Sequence, residues 1–280
     1  MINVELDLLP GQLDKRDKRP VDYCSPQGQF RGTGYRLVDG VTEPVYEKVI
    51  GNAQEFIIPI NFQFRKTFKA SIKEFITSQQ PTFVYPTRDG ENVYVGINHK
   101  LTPIEVANNM MAFRNAELLP LTDPGVQRVI KNNFNALQTS SLYNTTVGAT
   151  ATYTPLTATD TDTGITVVSF KNGVLEAVIN SIYNTDLNVA INVIQQQVRV
   201  PLTANQLMAL VSLVFEVKGK RVYNSRLLTV LNNLEYHKVP SYFMEFAETE
   251  LPSGKTMVNE ETYNRRYNEA ELFSTILENR

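Results

Sequence analysis

The chain has 280 residues, of which 42% are apolar and 20% charged, and its formal net charge is −2. This composition is typical of a folded globular protein with one large domain or two modest ones. Because 27 basic residues balance 29 acidic ones, the charge of the whole chain indicates neither a nucleic-acid surface nor a membrane surface. Acids and bases alternate in residues 14–19, which we interpret as a solvated arm.

The residues that most often bind metals or act as nucleophiles are scarce. Cys24 is the single cysteine, and His99 and His237 are the two histidines. This supply allows no intrachain disulfide and argues against a metal centre or a Ser-His-Asp site. We therefore expect no metal, no cofactor and an idle, buried thiol at Cys24.

Neither end of the chain nor its interior shows a membrane signal. Residues 1–10 lack the positive charge and apolar core of a signal peptide. No stretch approaches the roughly 18 apolar residues that a membrane span requires. The sequence therefore predicts a protein that stays in the cytoplasm until it is assembled into a larger structure.

Residues 1–50 contain several glycines between short polar pieces and predict an extended arm or a set of short strands. Residues 51–137 predict a small α+β domain, because strand and helix periodicities alternate there. Its expected elements are a strand at 56–60, a helix at 65–80, a hairpin that turns at Asp89-Gly90, and helices at 103–118 and 124–137.

Residues 138–170 are rich in Thr and Asp and predict a linker or a hairpin, with candidate strands at 149–153 and 165–168. The piece 157–164 is so polar that we expect no core there. Asp160 and Asp162 alternate as in a calcium loop, but the spacing breaks after these two acids. We therefore expect no calcium site.

Residues 171–280 predict an all-α lobe, because short amphipathic segments alternate with short polar links. The expected helices are 173–197, 204–217, 225–234, 240–248 and 260–277. Thr203 is the expected cap of the second helix, and Asn224 or Ser225 that of the third. The predicted fold class is α+β, with a mixed N-terminal region followed by this helical lobe.

The segment 201–215, PLTANQLMALVSLVF, resembles a signature of the phage-type (family 24) lysozymes. Further similar blocks follow in the same order at 225–232, 243–246, Gly254 and 264–273. Together they cover residues 173–276 and imply the C-terminal helical lobe of that fold. On physical grounds we expect Phe215 in the core, and Arg265, Arg266 and Glu269 in ion pairs on a helix surface.

The resemblance also implies a catalytic glutamate in an N-terminal lobe, followed after eight residues by Asp or Cys and after five more by Thr. Among the glutamates before residue 173, Glu5 alone has an acid at that distance, and its threonine position is Pro20. In the helical lobe, Glu216-Val217-Lys218 stands where the family has Asn-Val-Gly. We therefore assign no catalytic, cofactor-binding or metal-binding residue, and expect a protein that is not an enzyme.

The functional hypothesis is a structural component of a bacteriophage particle, at the tail tip or baseplate, that uses an inactive lysozyme-like domain as an assembly module. Its expected partners are other virion proteins, in several copies of a symmetric assembly, and neither nucleic acid nor membrane. Its expected location is the virion, and the host cytoplasm before assembly. Two alternatives stay open: an active peptidoglycan hydrolase (muramidase), and a protein that binds peptidoglycan without cleaving it.

Overall fold

The computed structural model describes residues 19–89, 92–115, 117–133, 156–169, 173–174, 176–219, 221–250, 256–258 and 260–277. The backbone contacts divide the chain into two compact units, one formed by Met1–Lys73 with Val189–Arg280 and the other by Glu74–Asn188. The boundaries expected at residues 50, 137 and 170 do not coincide with this division and stay predictions. The mixed α+β class is confirmed.

Two helices cross the unit boundaries, α1 (Lys66–Gln79) and α4 (Glu176–Gln197). The apolar periodicity predicted both helices. The observed ends of α1 lie within one residue of the predicted ends, and α4 starts three residues later than predicted. Within the described residues, no helix combines the length and the apolar character needed to span a bilayer.

The first unit begins with an antiparallel sheet of β1 (Tyr23–Ser25), β2 (Gly28–Val38) and β3 (Val41–Val49). The expected short strands in residues 1–50 are therefore present, whereas residues 1–18 lie outside the described part. Gly32 begins the bulge of the β2–β3 hairpin. A β-carbon there would lie 1.9 Å from the Pro20 carbonyl oxygen, so this position requires glycine.

The strand expected at 56–60 is reduced to a single bridge. Ile57 pairs with Leu202 through two backbone hydrogen bonds, from Ile57 N to the Leu202 oxygen at 2.6 Å and from Leu202 N to the Ile57 oxygen at 2.8 Å. A 3-10 turn, Pro59–Asn61, follows at once. The turn begins at Pro59, whose missing N–H cannot extend a ladder.

The helical part of the first unit contains α5 (Ala204–Val217), α6 (Arg226–Asn232), α7 (Val239–Phe243), a 3-10 turn (Met244–Ala247) and α8 (Glu260–Ser274). Thr203 caps α5 in a reciprocal capping box with Gln206, and Ser225, not Asn224, caps α6. The expectation of an all-α lobe is wrong in one respect, because β11 (Glu248–Glu250) pairs with β12 (Thr256–Val258) before α8.

Residues from the N-terminal segment complete this helical unit. The Gln206 side chain donates to the Cys24 carbonyl at 2.9 Å, and the Gln29 side chain donates to the Leu277 carbonyl at 2.9 Å. These contacts join parts of the chain that are 182 and 248 residues apart in sequence. Hydrogen bonds therefore join the N-terminal sheet to the helical part of the same unit.

The second unit contains two antiparallel sheets. One has the order β4 (Phe83–Asp89), β5 (Asn92–Gly96), β6 (His99–Lys100), which confirms the two hairpin strands; its Gly90 lies outside the described residues. The other has the order β8 (Glu117–Leu119), β7 (Met110–Arg114), β10 (Ile165–Ser169), β9 (Leu156–Asp160). Helices α2 (Pro103–Asn108) and α3 (Pro124–Asn132) begin directly after Thr102 and Asp123, whose side chains cap them.

The helix expected at 103–118 is wrong beyond Asn108. Asn109 takes a left-handed conformation (φ 52°) that ends α2, and the next five residues form β7. Four of these five are buried, and the strand pairs with β10. Pairing with a strand distant in sequence therefore overrides the local helical periodicity.

The polar piece 157–164 was also wrongly excluded from the core. Strand β9 pairs with β10, and Ala158 is buried in a cluster with Ile165, Val167 and Val126. The strand candidate at 149–153 lies outside the described residues. Threonines suit this edge strand because their branched side chains fit a pleated, half-buried surface.

Candidate functional site

Helix α5, which carries most of the lysozyme-like signature, is almost fully buried along its second half. Residues 209–215 are all buried, and Phe215 is 1% exposed, which confirms it as a core residue. The helix ends at Val217, and its C-cap, Lys218, is left-handed (φ 57°). Its N–H donates to the Val214 carbonyl at 3.0 Å, so the chain turns sharply just after Glu216.

The charged residues of α8 pack against α5 and not on a helix surface. Arg265 is 5% exposed, and Arg266 and Glu269 are both fully buried. The expectation of surface ion pairs is therefore wrong. The periodicity of a short helix does not show which face a neighbour covers, and here α5 covers the charged face.

These side chains form an ionic cluster with Ser212 and Glu216. The Ser212 hydroxyl donates to Glu269 Oε1 at 2.6 Å, and Arg266 Nη1 lies 3.1 Å from Glu269 Oε2. Arg266 Nη2 donates to Glu216 Oε2 at 2.8 Å, and Arg265 pairs with the same oxygen. Two cations and two anions balance, as burial of charge requires.

Burial changes the proton affinity of the innermost groups. Loss of solvent raises the pKa of Glu269, against the opposing effects of Arg266, Arg265 and the Ser212 hydroxyl. Loss of solvent also lowers the pKa of the Arg265 guanidinium, against the effect of the two glutamates. Glu269 has no exposed surface to offer a substrate, whereas the Glu216 side chain is 21% exposed. Glu216 is therefore the member of the ionic cluster that a ligand can reach.

Farther along the chain, residues 221–226 and the 3-10 turn Met244–Ala247 contain polar and aromatic groups that contact one another. Arg221 lies 5.7 Å above the ring of Phe246, which is buried, and Tyr223 is 37% exposed. Arg226 pairs with Glu245 at 3.4 Å on the exposed surface. Aromatic side chains with a few polar groups beside them are common in the lining of small-ligand sites.

In the second unit, the structure brings together two residues that the sequence did not connect. His99 Nδ1 of β6 lies 2.9 Å from Asp186 Oδ2 of α4, and their side chains are 12% and 15% exposed. The two positions are 87 residues apart, so no local spacing could have indicated the pair. The other histidine, His237, lies in the first unit against the rings of Tyr23 and Tyr46, and burial lowers its pKa.

Helix α1 ends in the second unit, where the β4–β6 sheet follows it. Helix α1 has one acidic residue, Glu74, which is exposed. Phe83 stands nine positions later and Asp89 fifteen positions later, so the expected spacing is not completed. Glu5 and Asp14, which match it best by sequence, lie outside the described residues.

Neither a metal nor a calcium cluster is found in the described ranges, where no three His, Cys, Asp or Glu residues gather. The two acids of the calcium-like spacing serve a turn. Asp160 accepts hydrogen bonds from the backbone N–H groups of Asp162 at 3.0 Å and Thr163 at 3.3 Å, and pairs with Arg128 at 2.8 Å. Its side chain therefore holds the β9–β10 connection.

Comparison with known proteins yields one family match and several similar solved structures. Residues 135–269, a little under half of the chain, match the family model described as Phage lysozyme. The similar structures include the muramidase domain of SpmX from Asticaccaulis excentricus, at 16% identity and a TM-score of 0.46, covering 77% of this chain and 100% of that one. An endolysin from Escherichia coli O157:H7 phage FAHEc1 has 12% identity and a TM-score of 0.45, covering 79% and 96%. No curated protein sequence matches the chain.

The family match overturns one expectation from the sequence. A protein that is not an enzyme was expected because the acid pattern is incomplete, but the matched family is one of lysozymes. The match also begins at residue 135, well before the expected lobe at 171. Residues 135–269 are thus similar to the phage lysozymes.

Proposed function

We propose that the protein is a muramidase-type enzyme that hydrolyses the glycan strands of peptidoglycan. The observation that carries this proposal is the match of residues 135–269 to the phage lysozyme family model. The packing of the helical part supports it, since the buried ionic cluster holds Glu216 at the end of α5 with its side chain 21% exposed.

Hydrolysis of a glycosidic bond requires a carboxyl group that protonates the leaving oxygen. We propose Glu74 as the first candidate, because it is the acidic residue of the helix that precedes the β4–β6 sheet and its side chain is exposed. A general acid contributes about 10²- to 10⁴-fold to the rate. The glutamine variant keeps the shape of the side chain and removes the proton donor.

The test is release of soluble fragments from dye-labelled peptidoglycan by the full chain. We expect release by the wild-type protein, and loss of at least about a hundredfold in Glu74→Gln. Glu117→Gln is the matched control, because Glu117 is an exposed glutamate of the same unit. Absence of release by the wild-type protein would overturn the proposal. Retention on cell walls in that experiment would favour binding without hydrolysis.

We also propose that the enzyme acts as part of a phage particle, at the tail tip or baseplate, beside other virion proteins and in several symmetric copies. The description of the matched family as phage lysozyme supports this location. Mass spectrometry of purified particles, with immunogold labelling of this chain, tests it. Particles that lack the chain, while the lysate contains it, would contradict this location and leave the enzymatic proposal standing.

A further inference from the structure

An apolar and basic surface lies where the chain enters α1, outside the lysozyme-like signature. Ile60 is 66% exposed and Ile58 is 36% exposed, although both are large aliphatic residues. Phe62, Phe64 and Phe68 follow, and each residue is partly exposed. We call this set, together with Arg65, Lys66 and Lys69, the entry patch.

The three rings of the entry patch pack on one another. Their centroids lie 5.0 Å apart for Phe62 and Phe64, 5.2 Å for Phe62 and Phe68, and 5.6 Å for Phe64 and Phe68, all near edge-to-face. This arrangement is favourable for aromatic rings. The rings therefore form one cohesive apolar surface.

The backbone beneath the entry patch is fixed to the first unit. The Gln195 side chain of α4 donates to the carbonyls of Pro59 at 3.2 Å and Phe62 at 3.1 Å. The bridge between Ile57 and Leu202 holds the segment from its other end. The exposed isoleucines are thus presented by an anchored segment, with little conformational freedom to lose on binding.

The entry patch concentrates positive charge in a chain that is acidic elsewhere. Residues 57–73 contain four basic residues and no acid, which leaves 23 basic residues against all 29 acidic ones in the rest of the chain. Arg65 and Lys66 are exposed, and the first turn of α1 has no acidic residue. Cations are unfavourable at a helix N-terminus because the helix dipole is positive there. Helix stability therefore does not account for this arrangement.

We propose that the entry patch binds the surface of an anionic lipid bilayer, with Ile58, Ile60 and the rings at the acyl boundary and the basic residues at the headgroups. Apolar side chains beside Lys and Arg are the combination that binds such interfaces. A nucleic acid would stack its bases on flat aromatic faces, but these rings are turned edge to face and the isoleucines have no such face. Because basic and acidic residues nearly balance over the whole chain, its net charge did not reveal this local excess of basic residues.

The experiment is flotation of the full chain with vesicles of phosphatidylcholine alone or with 30% phosphatidylglycerol. We expect at least tenfold more binding to the anionic vesicles, and a clear loss when salt is raised from about 0.1 M to 0.5 M. Ile60→Ser should reduce binding at least fivefold, as should the double variant Arg65→Ser with Lys66→Ser. Lipid binding is measured without peptidoglycan, so its failure and failure of the muramidase proposal are distinguishable.

Two matched controls test whether binding depends on the entry patch itself or on any exposed apolar or basic residue. Val41→Ser changes a residue that is 63% exposed in the β2–β3 hairpin, and Lys48→Ser with Lys131→Ser removes two other exposed cations. Both should bind vesicles as the wild-type protein does. Equal binding to neutral vesicles, no binding at all, or unchanged binding by the entry-patch variants overturns the proposal. Competition by a single-stranded oligonucleotide with the same dependence on Ile60 and Arg65 would assign the patch to nucleic acid instead.

Discussion

Glu216 Oε2 lies 2.8 Å from Nη2 of Arg266, a side chain with no exposed surface, on the helix that packs against α5. Glu216 follows the family-like segment 201–215 directly, in the stretch where the sequence has Glu-Val-Lys and the family has Asn-Val-Gly. The structure gives it a structural role, because its carboxylate neutralises two buried guanidinium groups. A substitution there acts on stability as well as on the exposed surface.

Removing the Glu216 carboxylate should destabilise the protein. In Glu216→Ala, Arg265 and Arg266 keep Glu269 as their one carboxylate partner in the ionic cluster, and a broken buried pair typically costs about 3–5 kcal/mol. Urea unfolding followed by circular dichroism measures the loss. Glu245→Ala is the control, since its pair with Arg226 is exposed and should cost less than about 1 kcal/mol. Equal stability of the two variants would show that the cluster is not held by Glu216.

Phe215→Ala should cost about 3–5 kcal/mol of unfolding free energy, because it empties a ring-sized volume in the core. Leu234→Ala, at a position that is 53% exposed, should change the free energy by no more than about 0.5 kcal/mol. The same urea titration measures both variants. If Phe215→Ala left the unfolding free energy unchanged, α5 would not form the centre of the helical part.

Cys24 should resist alkylation in the folded protein. It is 0% exposed, and burial raises the pKa of its thiol from 9.0 to about 12. Three pKa units lower the thiolate fraction about a thousandfold at pH 8, and the thiolate is the reactive form. Labelling with iodoacetamide should therefore follow global unfolding in urea. Rapid labelling in native buffer, at the rate of the unfolded chain, would contradict the buried position.

A fragment containing residues 171–280 alone should not fold stably. It lacks the N-terminal partners of Gln206 and Leu202, and the Gln29 side chain that holds the Leu277 carbonyl. We expect a broad, uncooperative unfolding curve for the fragment, and recovery of a cooperative transition when residues 1–73 are coexpressed with it. Cooperative unfolding of the fragment alone would contradict this expectation and support the domain boundary predicted near residue 170.

His99 and Asp186 should stabilise the second unit as a pair. A double-mutant cycle with His99→Ala and Asp186→Ala should give a coupling of about 1–3 kcal/mol, since the pair is largely shielded from water. The pair of Arg36 and Glu43, at 3.1 Å but with side chains 65% and 43% exposed, is the control. Its coupling should stay below about 1 kcal/mol. Additive effects at His99 and Asp186 would show that they do not interact.

Local signals in the sequence determined the helix starts. Thr102, Asp123, Thr203 and Ser225 all cap helices as their types and positions indicate, because a cap is formed by a side chain and the backbone two or three residues on. The buried position of Phe215 also followed from helical spacing. The resemblance of segment 201–215 to the family could also be recognised from sequence, because the residues of α5 that carry it are consecutive in the chain.

Contacts between distant segments were decided by the tertiary structure. Residues 110–114 have apolar residues that suit a helix or a strand, and pairing with β10 makes them a strand. The sequence predicted Arg265 and Arg266 to be on the surface, but they are buried because α5 packs over them. The entry patch could be recognised only from the structure, because it consists of side chains that remain exposed after folding. Burial and long-range pairing depend on the positions of all the elements together, and no short window of sequence contains them.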